Sequence, residues 1–499
     1  MATGRAQHED SQPHAPHAAA PWPVRRLRQA VSLLSSTLVH LLLLVVLALW
    51  TVAVEVHRPP PTLIASQQEL ADDTLLAADV RQDDRLSSLA TSEPVFSALD
   101  AAVMLREPSL PDVIVPSALP ASPEWHDSAG EMAVSDGLPG EVAALGRGGL
   151  TGRRGAARGE LLEAGGGNAQ SEEAVERALD WLARHQNRDG SWSFDHTRGA
   201  CQGQCANPGR LSRCTTGATG LALLPFLGAG YTHRDGKYQD AVSAGLNYLI
   251  ARMQSAPEGR SLTEGGEMYD HGIASIALCE AYAMTQDRTL EEPAQAAIDF
   301  IVYTQDPLGG GWRYMPRQPG DTSQIGWQLM ALKSAHLAYL RVPPKTISGV
   351  VHFLNSVQSD NGAAYGYVGA GKAPGTSSVG LLCRMLLGWK RDLPALRQGV
   401  RRLAKIGPSP SDVYFNYYAT QVLHHYEGKL WRKWNARLRD YLVETQTRLG
   451  HESGTWFFTA DNPSLLGGRL YATAMCAMTL EVYYRHLPLY SRESIENQF

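Results

Sequence analysis

The sequence predicts an all-α fold, a single (α/α)6 toroid of six helical hairpins preceded by one transmembrane helix and a flexible linker. Three observations carry this expectation: a six-fold recurrence over the last two-thirds of the chain, two alternating kinds of helix within it, and long glycine-rich stretches between hairpins. Four segments end in an aromatic residue, an aliphatic one, three further residues and a glutamine: Trp181-Leu182 to Gln186, Phe300-Ile301 to Gln305, Phe353-Leu354 to Gln358 and Tyr441-Leu442 to Gln446. A fifth, Tyr248-Leu249 to Gln254, has one extra residue, and the sixth, Val400 to Ile406, keeps the apolar spacing without the glutamine. Three glutamines are followed by Gly-x-Trp, at Gly190 to Trp192, Gly310 to Trp312 and Gly454 to Trp456; Gly362 and Tyr365 hold a similar place in a fourth repeat. A period of roughly 50 residues marks stacked supersecondary units, none of which buries its apolar face without neighbours.

In chain order, residues 1–28 are a tail containing Arg25, Arg26 and Arg28, and residues 29–54 hold an apolar run long enough to cross a bilayer as a helix. The arginines before it, against Glu55, His57 and Arg58 after it, place the N-terminus in the cytoplasm and the rest outside, in the periplasm if the cell is bacterial. The run is long for a signal-peptide core, and no small-x-small cleavage site follows it. Residues 55–169 lack a sustained period, are rich in Pro, Ala, Ser, Gly and Asp, and end in GRGGLTGRRGAARGE and Gly165-Gly166-Gly167. That composition reads as a linker, with a reach on the order of 60 Å as a random coil. The toroid follows over residues 170–490, and 491–499 form a tail. The bilayer is therefore the expected partner of the N-terminal helix. With 45 Lys and Arg against 50 Asp and Glu the net charge is −5, and no basic block in the folded part would track a phosphate backbone. Nucleic acid is excluded as a partner on that ground.

Within the toroid, the glutamine-ending segments, about 171–186, 237–254, 288–305, 343–358, 393–406 and 430–446, are amphipathic. In the first, Ala174, Ala178, Leu179, Trp181 and Leu182 oppose Glu176, Arg177, Asp180 and Arg184. Between them lie six stretches that are apolar or small nearly all round, such as TTGATGLALLPFLG and DHGIASIALCEAYAM. Helices of that kind are buried. Six buried helices alternating with six amphipathic ones predict two concentric rings, the inner helices parallel to one another. The long loops after the glutamines, for example DPLGGGWRYMPRQPGD, fit a closed barrel better than an open superhelix with short connections.

The glutamine followed by Gly-x-Trp, in segments such as HQNRDGSW together with DTSQIGWQLMALKSA, resembles the QW motif of squalene and hopene cyclases and the repeat of protein prenyltransferase β subunits, the prenyltransferase and squalene oxidase repeat family. The resemblance covers roughly residues 171–490 and implies the toroid. In such a repeat the glutamine amide ties backbone groups of adjacent helices while the tryptophan packs over the turn, a scaffold role. The chemistry does not carry over. The Asp-x-Asp-Asp of the cyclases is missing, since the adjacent aspartates are Asp72-Asp73 and Asp83-Asp84 in the linker; no Asp-x-Cys pair is present for prenyltransferase zinc, and the Gly-Cys-Gly-Glu-Gln of thioester domains is absent.

Parallel inner helices bring six N-termini to one mouth, where their dipoles would welcome an anionic group. Asp270 and Asp321 are candidates there for general acid or base, His271 for a proton shuttle and Arg469 for an anion clamp. Capping is the competing role for Asp321, with Thr322 and Ser323 behind it. Tyr269, Trp327, Tyr417, Tyr418 and Tyr471 would line or plug a ligand site, and His424-His425 falls at the opposite rim in a structural position. Cys201, Cys205, Cys214 and His196 lie close enough in sequence to bind zinc, while a Cys201–Cys205 disulfide outside the cytoplasm, with Cys214 free, and unlinked thiols are the alternatives; no cofactor is required by the sequence. Cys279, Cys383 and Cys476 sit in apolar helical patterns as core residues.

Two functions follow. One is binding or transformation of an isoprenoid or other apolar small molecule in the toroid, near the membrane. The other is a non-catalytic extracytoplasmic module that binds a protein or glycan.

Overall fold

The computed structural model of the protein describes residue 150, residues 152–264 and residues 266–490. The expected cytoplasmic tail, transmembrane segment, most of the linker and the C-terminal tail lie outside the described residues. Among the described residues no helix is long and apolar enough to cross a membrane.

The helices in order are α1 (Gly155–Gly165), α2 (Ala169–Arg184), α3 (Thr215–Gly228), α4 (Gln239–Arg252), α5 (Met268–Thr285), α6 (Arg288–Thr304) and α7 (Thr322–Leu337). They continue as α8 (Pro344–Val357), α9 (Pro374–Leu386), α10 (Pro394–Ile406), α11 (Val413–Tyr426), α12 (Gly428–Thr445), α13 (Asn462–Leu480) and α14 (Val482–Arg485). Two antiparallel ribbons, β1 (Gln254–Ser255) with β2 (Arg260–Ser261) and β3 (Gln358–Ser359) with β4 (Ala364–Tyr365), ornament the loops after α4 and α8.

Outer helices are one-sided. In α2, Ala174, Val175, Ala178, Leu179, Trp181 and Leu182 are buried, and Asn168 and Ser171 form a reciprocal capping box at its start. Inner helices are buried almost throughout: every residue of α3 after Thr215 is buried, and so are Met268 to Ala283 in α5. The inner helices form a complete circuit, α3 packing on α5, α5 on α7, α7 on α9, α9 on α11, α11 on α13, and α13 back on α3. They run parallel, since Gly217 faces Asp270 and, one turn on, Gly220 faces Ala274. Close approach needs the glycines: a Cβ at Gly220 would stand 2.7 Å from the Ala274 Cα. The arrangement is an α/α toroid.

The glutamines work as joints. Gln186 Nε2 donates to Gly190 O at 2.9 Å and Ala241 O at 2.9 Å, Gln305 Nε2 to Gly310 O at 2.8 Å and Thr346 O at 2.9 Å, and Gln446 Nε2 to Gly454 O at 3.0 Å and Ala174 O at 2.7 Å. Each amide thus holds its own turn and one of the first two turns of the next outer helix. Gln446 joins the last outer helix to the first. The tryptophans repeat the pattern, Trp192, Trp312 and Trp456 donating Nε1–H to Leu182 O, Ile301 O and Leu442 O at 2.8, 2.8 and 2.7 Å.

One boundary is corrected. The linker was expected to reach residue 169, yet α1 belongs to the folded part: Arg158 Nη2 bonds Glu172 at 2.7 Å, Trp431 Nε1 donates to Gly165 O at 3.0 Å, and Arg153 is 2% exposed. No residue of α1 is itself buried. Its attachment runs through arginines and glycine carbonyls, so the sequence shows no apolar stripe there.

Candidate functional site

The six inner helices open at one mouth on the cap residues Cys214, Glu267, Asp321, Ala373, Asp412 and Asp461. Asp321 accepts from Gln324 N at 2.8 Å, Asp412 from Phe415 N at 2.8 Å and Asp461 from Ser464 N at 2.8 Å. Four of the six helix N-termini therefore carry a carboxylate already set against the dipole. The anion-welcoming mouth expected from bare dipoles is replaced by an acidic one.

Asp270 completes the capping box of α5, its Oδ2 accepting from Glu267 N at 2.9 Å. Complete burial pushes its carboxyl pKa well up, against the lowering effect of the Glu267 and Gly217 amides and the Cys214 thiol. His271 is locked in one tautomer. Its Nδ1 receives the Leu262 N–H at 3.0 Å, so Nε2 carries the proton and donates to Ala297 O at 2.9 Å. Burial draws its pKa down to about 4, and the neutral ring ties α5 to α6 and to the loop before it. Asp270 and His271 at the start of α5 and Asp321 at the start of α7 are each engaged in holding a helix.

Arg469 is engaged by the loops on either side of it. Gly468, at φ +65°, breaks the start of α13, and Arg469 bonds Ala206 O at 3.2 Å, Thr455 Oγ1 at 2.8 Å and Glu452 Oε2 at 2.8 Å. It belongs to the seam between the first and last hairpins. His424, near the end of α11, has Nε2 2.8 Å from His486 O.

Tyr269 and the aromatic candidates are buried. Trp327 of α7 stacks on Tyr417 of α11 at 5.9 Å between ring centroids and meets Tyr418 edge-on at 6.0 Å, while Tyr414 lies 4.8 Å from Tyr418. These rings join α7 to α11. Deeper in, Glu280 accepts from Arg153 Nη1 at 2.8 Å and Arg485 Nη2 at 2.9 Å. Beside that network lies a cavity of about 40 Å³ lined by Met330, Lys333, Gln421 and His425 among others. It has room for a water or two. A larger groove, about 470 Å³, lies outside the ring between α1 and α12.

Near the mouth, Ser323 Oγ, Gln324 Nε2 and Tyr471 OH are buried without a hydrogen-bond partner. Burial raises the Tyr471 pKa further, with Asp461 adding to it, so the phenol stays a donor.

A second cluster lies at the seam. His185, Cys201, Cys205 and His451 bring their four ligand atoms within 4.8 Å of one another. Cys205 Sγ is 3.3 Å from His185 Nε2 and 3.1 Å from His451 Nδ1, and Cys201 Sγ is 3.9 Å from His451 Nδ1. Cys201 and Cys205 are unlinked thiols here. Two of the residues expected beside them stand elsewhere. Cys214 caps α3 and faces Asp270, and His196 lies beside His185, 6.0 Å between ring centroids, outside the group. Sequence proximity suggested those partners; ring closure supplies His185 and His451 instead.

No family model matches this sequence, and no curated protein matches it. Solved structures similar to it include an inactive variant of the α-1,6-mannanase GH76A of Salegentibacter sp. HEL1_6 in complex with α-1,6-mannotetrose, at 11% identity and TM-score 0.46, covering 63% of this chain and 98% of that one. The type II terpene cyclase MstE from Scytonema is similar at 14% identity and TM-score 0.44 over 62% of this chain and 97% of that one. A GH76 α-mannanase of Bacteroides thetaiotaomicron is similar at 12% identity and TM-score 0.46 over 63% and 95%. The class to which this chain belongs is defined by its own helix packing, the α/α toroid, and no narrower family is matched.

Proposed function

We propose that the toroid is a non-catalytic binding module, held near a membrane by residues 29–54 and the linker, and that its acidic mouth takes a hydroxyl-rich ligand, a glycan. The observation that carries this reading is the set of buried polar atoms without partners, Ser323 Oγ, Gln324 Nε2 and Tyr471 OH, inside a ring of capping carboxylates. A buried polar atom without a partner costs about 1–3 kcal/mol, a penalty that a bound hydroxyl would relieve. Sugar hydroxyls both accept from the amide and phenol and donate to carboxylates, and sugar rings pack on tyrosine faces. A hydrocarbon satisfies none of these groups. Trp327, Tyr417 and Tyr418 moreover occupy the space an isoprenoid would need. Catalysis is disfavoured because Asp270 and His271 are committed to backbone partners.

The test is a panel of immobilised oligosaccharides probed with the full chain in detergent, alongside lipid extraction and mass spectrometry. Retention of a saccharide, weakened about tenfold by Tyr471→Phe through loss of one hydrogen bond, supports the reading. A co-purifying isoprenoid with no saccharide retained overturns it in favour of the apolar-ligand function.

A further inference from the structure

We propose that His185, Cys201, Cys205 and His451 form a structural zinc site that clasps the first hairpin of the toroid to the last. This is independent of whatever the mouth binds. The donor set is two thiolates and two imidazoles, which suits zinc among the common metals and gives a neutral centre when the metal is in place. For tetrahedral zinc with bonds of about 2.3 Å to sulfur and 2.0–2.1 Å to nitrogen, sulfur–nitrogen separations come to about 3.6 Å. The observed 3.3, 3.1 and 3.9 Å bracket that value.

Orientation is prepared as well. His185 Nδ1 lies 2.7 Å from Trp181 O. A carbonyl only accepts, so Nδ1 carries the proton and Nε2 turns its lone pair toward Cys205. A ligating histidine held through its second nitrogen is the arrangement metal sites use. Trp181 also stacks on that ring at 3.9 Å, fixing its plane. The Cys205 N–H donates to Cys201 Sγ at 3.3 Å, which orients that sulfur.

The location gives the site its purpose. His185 ends α2, the cysteines lie in the loop before α3, and His451 lies in the loop after α12. The loop before α3 bonds the loop after α12 through Ala206 N to Glu452 Oε1 at 2.6 Å, and bonds the start of α13 through Arg469 N to Asn207 O at 3.0 Å and Arg210 N to Leu466 O at 2.7 Å. All four metal ligands come from protein, and Cys201, Cys205 and His185 are buried. No open coordination position is left for a substrate, which makes the site a staple.

The experiment uses the full chain purified in detergent under reducing conditions. Metal analysis is expected to find a single equivalent of zinc, and cobalt(II) exchanged into the site to show tetrahedral d–d bands with thiolate charge transfer in the near ultraviolet. Cys205→Ser and His451→Ala should each lose the metal, while Cys214→Ser and His196→Gln keep it. Chelation of the wild-type chain should lower its unfolding temperature, which keeps the proposal testable if the ligand variants fail to fold. A folded chain without metal whose Cys201 and Cys205 are found as a disulfide overturns it. Metal retained by both ligand variants, or lost from Cys214→Ser, overturns it equally, and an unfolding temperature unmoved by chelation removes the clasp.

Discussion

Gln446→Ala tests the ring closure at the joint between the last outer helix and the first. The side chain is buried and makes three bonds, Nε2 to Ala174 O at 2.7 Å, Nε2 to Gly454 O at 3.0 Å, and Oε1 from Arg177 Nε at 2.9 Å. Each bond is worth about 0.5–1.5 kcal/mol net, and leaving buried carbonyls unpaired adds desolvation, so the expected loss is about 2–4 kcal/mol. Gln254 occupies the same place in the repeat but its side chain is exposed. Gln254→Ala should therefore stay within about 0.5 kcal/mol of the parent. Urea titration of both variants, followed by circular dichroism, reads the difference as a shift in midpoint at unchanged slope. Equal losses at the two positions would refute the idea that the glutamine acts through the next outer helix, and so would no loss at Gln446. If zinc shares that seam, removal of the metal and Gln446→Ala should be non-additive, since both act on one interface.

Gly310→Ala and Gly203→Ala separate backbone strain from crowding: both glycines have φ +74°, but a Cβ at Gly310 stands 2.2 Å from Gly349 O and one at Gly203 meets nothing within 4 Å. The first should lower stability by roughly 2 kcal/mol more than the second in thermal denaturation, and equal effects would refute the close approach. Glu280→Ala leaves Arg153 and Arg485 buried without their shared carboxylate and should cost about 3–5 kcal/mol in the same assay. Glu481, at the end of α13, has its pKa raised to about 8, chiefly by burial. Its folded value lies above the unfolded one, so the stability it contributes is full below about 4.5 and lost as pH rises to about 8. Glu481→Gln should flatten denaturation midpoints across that window, and an unaltered pH profile would rule the residue out.

The toroid was legible because its signals are local and repeated. Helix α2 is an apolar stripe behind a capping box, and α3 has no polar face, so their places in outer and inner rings follow from burial alone. Helix α1 was hidden for the same reason in reverse. Nothing in GAARGELLEAG is buried, and it is held by the Arg158–Glu172 pair and by carbonyls of Gly165 and Gly166 that bond Trp431 and Asn435. Composition registers the glycines and arginines as a linker; it does not register what they touch.

The candidate residues divide along a similar line. Asp270 and His271 were recognisable as ionisable groups at a buried helix start, yet their use depends on the backbone opposite them. The Leu262 amide and the Ala297 carbonyl decide that His271 is a neutral brace, and neither belongs to its own helix. Arg469 follows Gly468, whose φ of +65° interrupts the start of α13, and its bonds to Ala206, Glu452 and Thr455 are not visible in its place in the repeat. The seam cluster is the instructive case. Cys201 and Cys205 are visible as a pair in the sequence, and Cys214 and His196 are their neighbours along the chain, but neither belongs to the group the fold assembles. His185 adjoins the first repeated glutamine and His451 follows the last one, so any ring that closes brings them to the same seam. In a circular array, then, ligands are better sought between the first and final repeats than within one loop, because that junction has no covalent connection and gains most from a metal.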